Sequence, residues 1–363
     1  MKVFIIIIGI LFIVLVIILR SHFEDSQHIL VQNESKKTVT QVRVTPEATQ
    51  QKQQTALFIP YWSINSDISK ETGYNRMIYF GISPDQNGIN ASDQGYKDLS
   101  QFVSLVPDTT EKLLVLRMLD SDNTFSILKN KSLEDRIIQQ TVALAKQNKF
   151  AGVVLDLEVA SLPFSSVVSE INEYVARMYS AVTSAKMKFS LTLYGDTFYR
   201  IRPYDVASLV SHSDEIFVMA YDFSKANGDP GPNFPLYGAT IYGYDFTVMV
   251  NDFLNIVPKN KLTFVFGMYG YDWIIDSKNK SIQQAKSLSD LQVKEQFLNS
   301  CTFSNCLISR DTGKSAETEI TYIDKNGQHH ILWFEDMQSV QQKSDFLKKN
   351  GLMSTGYWAY SYF

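Results

Sequence analysis

Phe150-Ala151-Gly152-Val153-Val154-Leu155-Asp156-Leu157-Glu158 is apolar until it ends in two carboxylates. It reads as a short buried strand. Alternate residues of a strand share a face, so Asp156 and Glu158 point the same way, with Cα atoms roughly 7 Å apart and with Gly152 and Val154 below them. An unpaired charge inside a protein is costly. Two acids at the C-terminal end of such a strand therefore need a pocket, partners or a purpose. A lone acid there would be explained by a helix N-cap or a surface ion pair, and the surrounding sequence decides between these readings.

Outward from this stretch, short apolar runs alternate with helical segments. The runs cover residues 56–62, 77–82, 113–119, 152–158, 189–194, 215–221, 262–269 and 352–360. Residues 133–148, 166–185 and 246–257 carry apolar positions at helical spacing, as in Val168, Ile171, Val175, Met178 and Val182. Strands and helices alternating in this way predict an α/β fold, a (β/α)8 TIM barrel over residues 55–363. A doubly wound open sheet is the alternative. It usually has fewer strands, and the chain lacks the glycine-rich phosphate fingerprint of that class. In a barrel the functional residues sit at the C-terminal strand ends. Those ends carry Trp62, Ser83, Asp156, Glu158, Tyr194, Tyr221, Asp222, Tyr269 and Trp358. Carboxylates set among aromatic faces suit a carbohydrate, although aromatic residues also cap barrels simply as packing.

At these positions the chain resembles glycoside hydrolase family 18, the chitinase-like barrels. The family's fourth strand carries D-G-x-D-x-D-x-E, where this chain has Ala151-Gly152-Val153-Val154-Leu155-Asp156-Leu157-Glu158. Its sixth strand carries M-x-Y-D, here Met219-Ala220-Tyr221-Asp222, and its last strand a sugar-floor tryptophan, here in Gly356-Tyr357-Trp358. Pro230-Gly231-Pro232, Tyr269-Gly270-Tyr271-Asp272-Trp273 and Trp333-Phe334-Glu335-Asp336 further resemble the bacterial spore-cortex and germination branch. The resemblance implies a glycosidase with substrate-assisted, retaining catalysis on β-linked N-acetylated glycans of the chitin or peptidoglycan type. The two-carboxylate scheme of most glycosidases does not apply to this family. Glu158 would be the general acid/base, with Asp156 and Tyr221 holding the substrate acetamide. Asp222, Trp358, Met219, Tyr194, Tyr269 and Trp62 would bind sugar. No cofactor and no metal are implied.

Two motif aspartates are replaced, by Ala151 and Val154. In the family the second shares a proton with the position of Asp156. Without it, Asp156 is expected to stay ionised. The losses also admit a catalytically inactive carbohydrate-binding protein on the same barrel. Phe363 follows directly on the eighth run, so a segment other than the usual eighth helix is expected to cover that face.

The remaining sequence sets the context. The chain has 363 residues, 45% hydrophobic and 20% charged, with net charge −4. This is a globular composition that argues against a nucleic-acid partner. Residues 3–19 are apolar without a break, between Lys2 and Arg20. Residues 1–20 are expected to form an uncleaved signal-anchor transmembrane helix, a cleaved secretory signal being the alternative. Lys2 favours a cytoplasmic N-terminus, while Arg20, Lys36 and Lys37 weigh the other way. Residues 21–54, rich in Gln, Ser and Thr, read as a disordered tether. The expectation is a monomeric, single-pass cell-membrane protein with its barrel outside the cytoplasm. About residues 276–332 form an insertion between strands seven and eight, too long for an ordinary connection. Within it Asp324-Lys325-Asn326-Gly327 marks a hairpin turn. Cys301 and Cys306 are the only cysteines. A disulfide suits an extracytoplasmic site, free thiols are the main alternative, and zinc lacks further ligands at a recognised spacing.

Overall fold

A computed structural model describes residues 54–363. The expected membrane helix and nearly all of the tether lie outside the described residues. Among the described residues, no helix is long and apolar enough to cross a membrane.

Seven strands follow one another as β1 (Thr55–Pro60), β2 (Arg76–Ile82), β3 (Glu111–Met118), β4 (Gly152–Leu157), β5 (Lys188–Tyr194), β6 (Glu215–Ala220) and β7 (Leu262–Gly267). An antiparallel insertion comes next, with β8 (Tyr269–Ile275), β9 (Lys286–Ser289), β10 (Ser304–Arg310), β11 (Thr318–Ile323) and β12 (His329–Phe334). The last strand, β13 (Thr355–Trp358), pairs in parallel with both β7 and β1 and closes an eight-stranded barrel. The expected barrel is therefore present.

The two-residue period of a strand turns each barrel strand into a column of inward side chains. Arg76 opens the β2 column at the N-terminal end. It pairs with Glu215 at 2.7 Å and Glu111 at 3.2 Å, and Lys188 pairs with Glu111 at 2.9 Å. Above these ions lies an apolar layer of Ala56, Phe58, Ile78, Phe80, Leu113, Val115, Val154, Phe217 and Val265. The columns end at the C-terminal mouth in polar and aromatic groups. Each acid there rests on a dry layer, and that placement governs its protonation.

The helices pack outside the barrel. α1 (Gln94–Leu105), α2 (Ser121–Leu128), α3 (Lys131–Gln147), α4 (Ser165–Ser184), α5 (Val206–Ser211), α6 (Phe246–Ile256) and α7 (Met337–Lys349) connect the strands. Asp93, Asn130, Asp245 and Asp336 each accept a first-turn backbone N–H at a helix start, satisfying donors that the helix leaves unpaired. α4 buries Ile171, Tyr174, Val175, Met178 and Val182, a stripe at helical spacing.

The insertion begins earlier than expected. Residues 262–269 read as one apolar run, but β7 ends at Gly267, and Tyr269 already belongs to β8, which pairs antiparallel with β12. Gly270 makes this pairing possible: a Cβ there would lie 1.8 Å from the Trp333 carbonyl oxygen. The sheet order is β9-β8-β12-β11-β10. The Asp324–Gly327 turn joins β11 to β12, with Ile323 opposite His329. Cys301 and Cys306 are joined in a disulfide that packs against the Phe297 and Tyr322 cluster. After β13 the chain folds back on the barrel: the Tyr360 N–H donates to the Phe58 carbonyl at 2.9 Å, and the Phe363 ring lies 5.6 Å from that of Tyr357.

Candidate active site

β4 delivers its two acids as the alternation requires. Asp156 is 3% exposed and accepts a short hydrogen bond from the Thr192 hydroxyl on β5. Glu158 lies just past the strand end and accepts the Tyr194 hydroxyl at 2.7 Å. Tyr204 fixes the backbone on both sides of Glu158: its hydroxyl donates to the Leu157 carbonyl at 2.8 Å and accepts the Val159 N–H at 3.1 Å.

Burial over the apolar layer, with the Glu158 charge beside it, pushes the Asp156 carboxyl up to about 8. Burial also raises Glu158; the Tyr194 hydrogen bond, Lys225 and Arg202 pull the other way, and Asp222 pushes with burial. The expectation that Asp156 stays ionised is corrected here. Replacing the motif aspartate by Val154 removes one neighbour, but Val154 also dries the layer under Asp156, and desolvation supplies the upward shift. Ala151 is exposed at the other end of β4 and does not touch the site.

The β6 end supplies Tyr221 and Asp222 above a buried Met219. Burial holds the Tyr221 phenol well above its usual range, so it remains a neutral donor. Its hydroxyl makes no hydrogen bond among the described residues. Asp222 takes a left-handed φ of 58°, a conformation that Asp tolerates better than most residues. Its carboxylate accepts the hydroxyls of Tyr269 and Tyr271, the latter at 2.8 Å. Opposite the acids, Trp358 packs edge-on to Phe80 at 4.6 Å and to Trp62 at 6.3 Å. Trp62 is 52% exposed and extends this aromatic floor outward.

The structure thus brings together Glu158, Asp156, Tyr221, Asp222, Met219, Tyr194, Tyr269, Trp62 and Trp358. Two of these differ in role from the expectation. The hydroxyls of Tyr194 and Tyr269 are committed to carboxylates, so these residues hold acids rather than offer free edges to a ligand. Thr192 escaped the sequence reading, although Ser190-Leu191-Thr192-Leu193-Tyr194 alternates and points it inward.

Asn233 also escaped, with no local signal to reveal it. Its side-chain oxygen accepts the Asp222 N–H at 2.8 Å, and its amide donates to the carbonyls of Gly267 and Tyr269. Glu317, from the insertion, accepts the Asn233 and Phe234 N–H groups at 2.6 and 2.8 Å. Lys343 on α7 pairs with Glu317 at 2.9 Å and with Glu335. Asn233→Ala takes the partner from the Asp222 N–H and a donor from the Gly267 carbonyl, while the Tyr269 carbonyl keeps the Glu335 N–H at 3.1 Å. The substitution is expected to lower the unfolding free energy by about 1–3 kcal/mol in a denaturant titration.

Comparisons with known proteins give the family and the fold. A family model described as "Glycosyl hydrolases family 18" matches residues 32–362. The chain is 24% identical over 247 residues to the uncharacterized glycosylase YvbX of Bacillus subtilis, covering 66% of each chain. It is 22% identical over 263 residues to the cortical fragment-lytic enzyme of Bacillus anthracis, covering 69% of this chain and 56% of that one. The matches thus span about half to two thirds of these relatives' lengths. The crystal structure of the Bacillus cereus spore cortex-lytic enzyme SleL superposes with a TM-score of 0.70 at 18% identity, covering 92% of this chain and 77% of that chain.

Proposed function

The chain belongs to glycosyl hydrolase family 18, and from that premise we propose that it hydrolyses β-linked glycans of N-acetylated sugars by substrate-assisted, retaining catalysis. The observation that carries this reading is the buried pair Asp156 and Glu158, held by the hydroxyls of Thr192 and Tyr194, beside the uncommitted hydroxyl of Tyr221.

The sugar to be cleaved lies on Trp358. Its 2-acetamido oxygen attacks the anomeric carbon while Glu158 gives its proton to the departing glycosidic oxygen. The C–O bond breaks, and an oxazolinium ion remains, its positive charge on the acetamide. As the acetamide binds, the proton shared by the pair sits on Glu158. Asp156 is then the carboxylate that accepts the acetamide N–H and balances that charge, and Tyr221 donates a hydrogen bond to the same group. Water then attacks the anomeric carbon as its bond to the acetamide oxygen breaks, losing its proton to the Glu158 carboxylate, which restores both the acid and the free acetamide. Asp222 binds sugar hydroxyls from its tyrosine cradle. A pure binding protein would have no use for a proton on Glu158, and no observation favours that reading.

The protonation states give a pH prediction. Between them the paired carboxyls keep a proton up to about pH 8. Deprotonation removes the acid, so kcat/KM is expected to fall as pH rises through about 8. Asp156→Asn removes one member of the pair, and the basic limb is then expected to move to lower pH. A kcat/KM profile of both proteins checks this, and an unmoved limb would contradict the pairing.

We further propose that residues 1–20 anchor the chain and that a monomeric barrel works outside the cytoplasm. The unbroken apolar run and the Cys301–Cys306 disulfide support this. Membrane fractionation with protease accessibility on intact cells tests it; a soluble or protease-protected barrel would contradict it.

A further inference from the structure

The pair Asp156 and Glu158 can hold its proton on either carboxyl, and the reaction above runs only with the acid at 158 and the anion at 156. The groups around the pair differ in which carboxyl they favour as the anion. Burial and the Glu158 charge raise Asp156, and the Thr192 hydrogen bond and Arg117 oppose them. Burial raises Glu158; the Tyr194 hydrogen bond opposes it, Asp222 adds to the rise, and Lys225 and Arg202 oppose it again. Tyr204 and Tyr221, which also face Asp156, are raised by burial and stay neutral. Of these cations, only Arg117 favours the anion at 156.

Its place follows from the strands. Leu113 and Val115 of β3 lie in the layer inside the barrel, so by alternation Arg117 points inward as well. It stands in register with Asp156 on the neighbouring β4, and adjacent strands lie about 5 Å apart. The guanidinium covers the rings of Tyr61 and Phe80, 5.0 and 5.3 Å from their centroids, and Phe80 in turn supports Trp358. One nitrogen, Nη2, donates to Asp93 at 3.0 Å and to the Gly81 carbonyl at 3.2 Å. Asp93 does not serve Arg117 alone: it also accepts the Gly95 N–H at the start of α1 and the Ser83 hydroxyl. The Arg117 side chain is 12% exposed, and its Nε–H is buried with no hydrogen-bond partner among the described residues. A buried donor left so is unfavourable. A cation this near a positively charged intermediate would also hinder the reaction, unless it secured the anion that balances that charge.

We propose that Arg117 is a positioning residue: as a charge beside Asp156, it holds position 156 as the carboxylate and so leaves the pair's proton on Glu158. This rests on the hydrolase reading above and adds to it the group that decides where the proton resides.

The test follows the Asp156 carboxyl carbon by NMR titration of the full chain, its signal assigned by its loss in Asp156→Asn. Profiles of kcat/KM against pH on a β-linked N-acetylated glycan accompany it. In Arg117→Gln the Asp156 titration and the basic limb are both expected to rise by about one pH unit, the low end of what a nearby opposite charge does. The kcat/KM plateau is expected to fall about tenfold, the same free energy read as a rate, because the proton then resides on the wrong carboxyl. The two profiles converge above the limb. Arg117→Lys is expected to restore both readings. Asp93→Asn removes the other carboxylate from Arg117 and is expected to move both readings to lower pH. A purely structural role would lower the rate without moving the limb, and that result, or an unmoved Asp156 titration, overturns the proposal. If Arg117→Gln does not fold, Asp93→Asn decides: a downward move supports the proposal, and no move overturns it. If no protein cleaves the glycan, the hydrolase reading fails separately, and the carboxyl titration still decides whether Arg117 acts on Asp156.

Discussion

Glu158→Gln is expected to lower kcat about a thousandfold, within the roughly 10²–10⁴ that a positioned general acid contributes, while glycan binding is retained. Gln keeps the size of the side chain and its acceptor oxygen toward the Tyr194 hydroxyl, but it has no acidic proton for the leaving oxygen. Glu158 is raised by burial and held by Tyr194 at 2.7 Å, with Tyr204 fixing the backbone on either side. The substitution therefore removes the proton without moving the strand end. Steady-state kinetics, together with calorimetric binding of an uncleaved oligosaccharide, measures both halves. A variant that cleaves at the wild-type rate would remove Glu158 from the mechanism. One that fails to bind would make it a binding residue.

Lys343→Met is expected to destabilise the fold by about 3–5 kcal/mol, the usual consequence of removing one member of a buried ion cluster. Lys343 is fully buried between Glu317 and Glu335. Burial pushes the Glu335 carboxyl up to about 8 even with Lys343 beside it, and the Glu317 charge adds to the rise. Without the ammonium, two carboxylates face each other in a dry site. Glu317 also holds the Asn233 and Phe234 N–H groups, and Asn233 holds Asp222. Loss of Lys343 should therefore loosen the mouth as well as the core. Denaturant unfolding reads the first effect. A change below about 1 kcal/mol would mean that the cluster relaxes into water at little cost.

The barrel was legible because its strands are short apolar runs and its helices carry a clear 3.6-residue stripe. Asp156 and Glu158 stood out because acids interrupt an apolar strand. What the sequence hid was depth and distance. Whether Asp156 is ionised depends on the dry layer beneath it, to which Phe58, Val115, Val154 and Phe217 contribute from four strands. The roles of Tyr194 and Tyr269 depend on where two hydroxyls end, which strand position alone does not fix. Asn233, Glu317 and Lys343 meet across long sequence separations, 84 residues for the Asn233–Glu317 bond, and no local pattern marks them. The insertion start was misread because residues 264–269 carry no polar break, and the break at Met268 comes from the antiparallel pairing of Gly270 with Phe334.

The most direct test of the account is the acetamido dependence of cleavage. The full protein would be given a β-linked N-acetylated glycan and the same glycan after de-N-acetylation, with rates and first-formed anomers followed by NMR. The account predicts cleavage of the acetylated glycan with a β-anomer as the first product, and no cleavage of the deacetylated one, because the attacking oxygen belongs to the acetamide. Equal cleavage of both would contradict the roles given to Asp156 and Tyr221, and failure of the folded protein to cleave either would contradict the hydrolase itself.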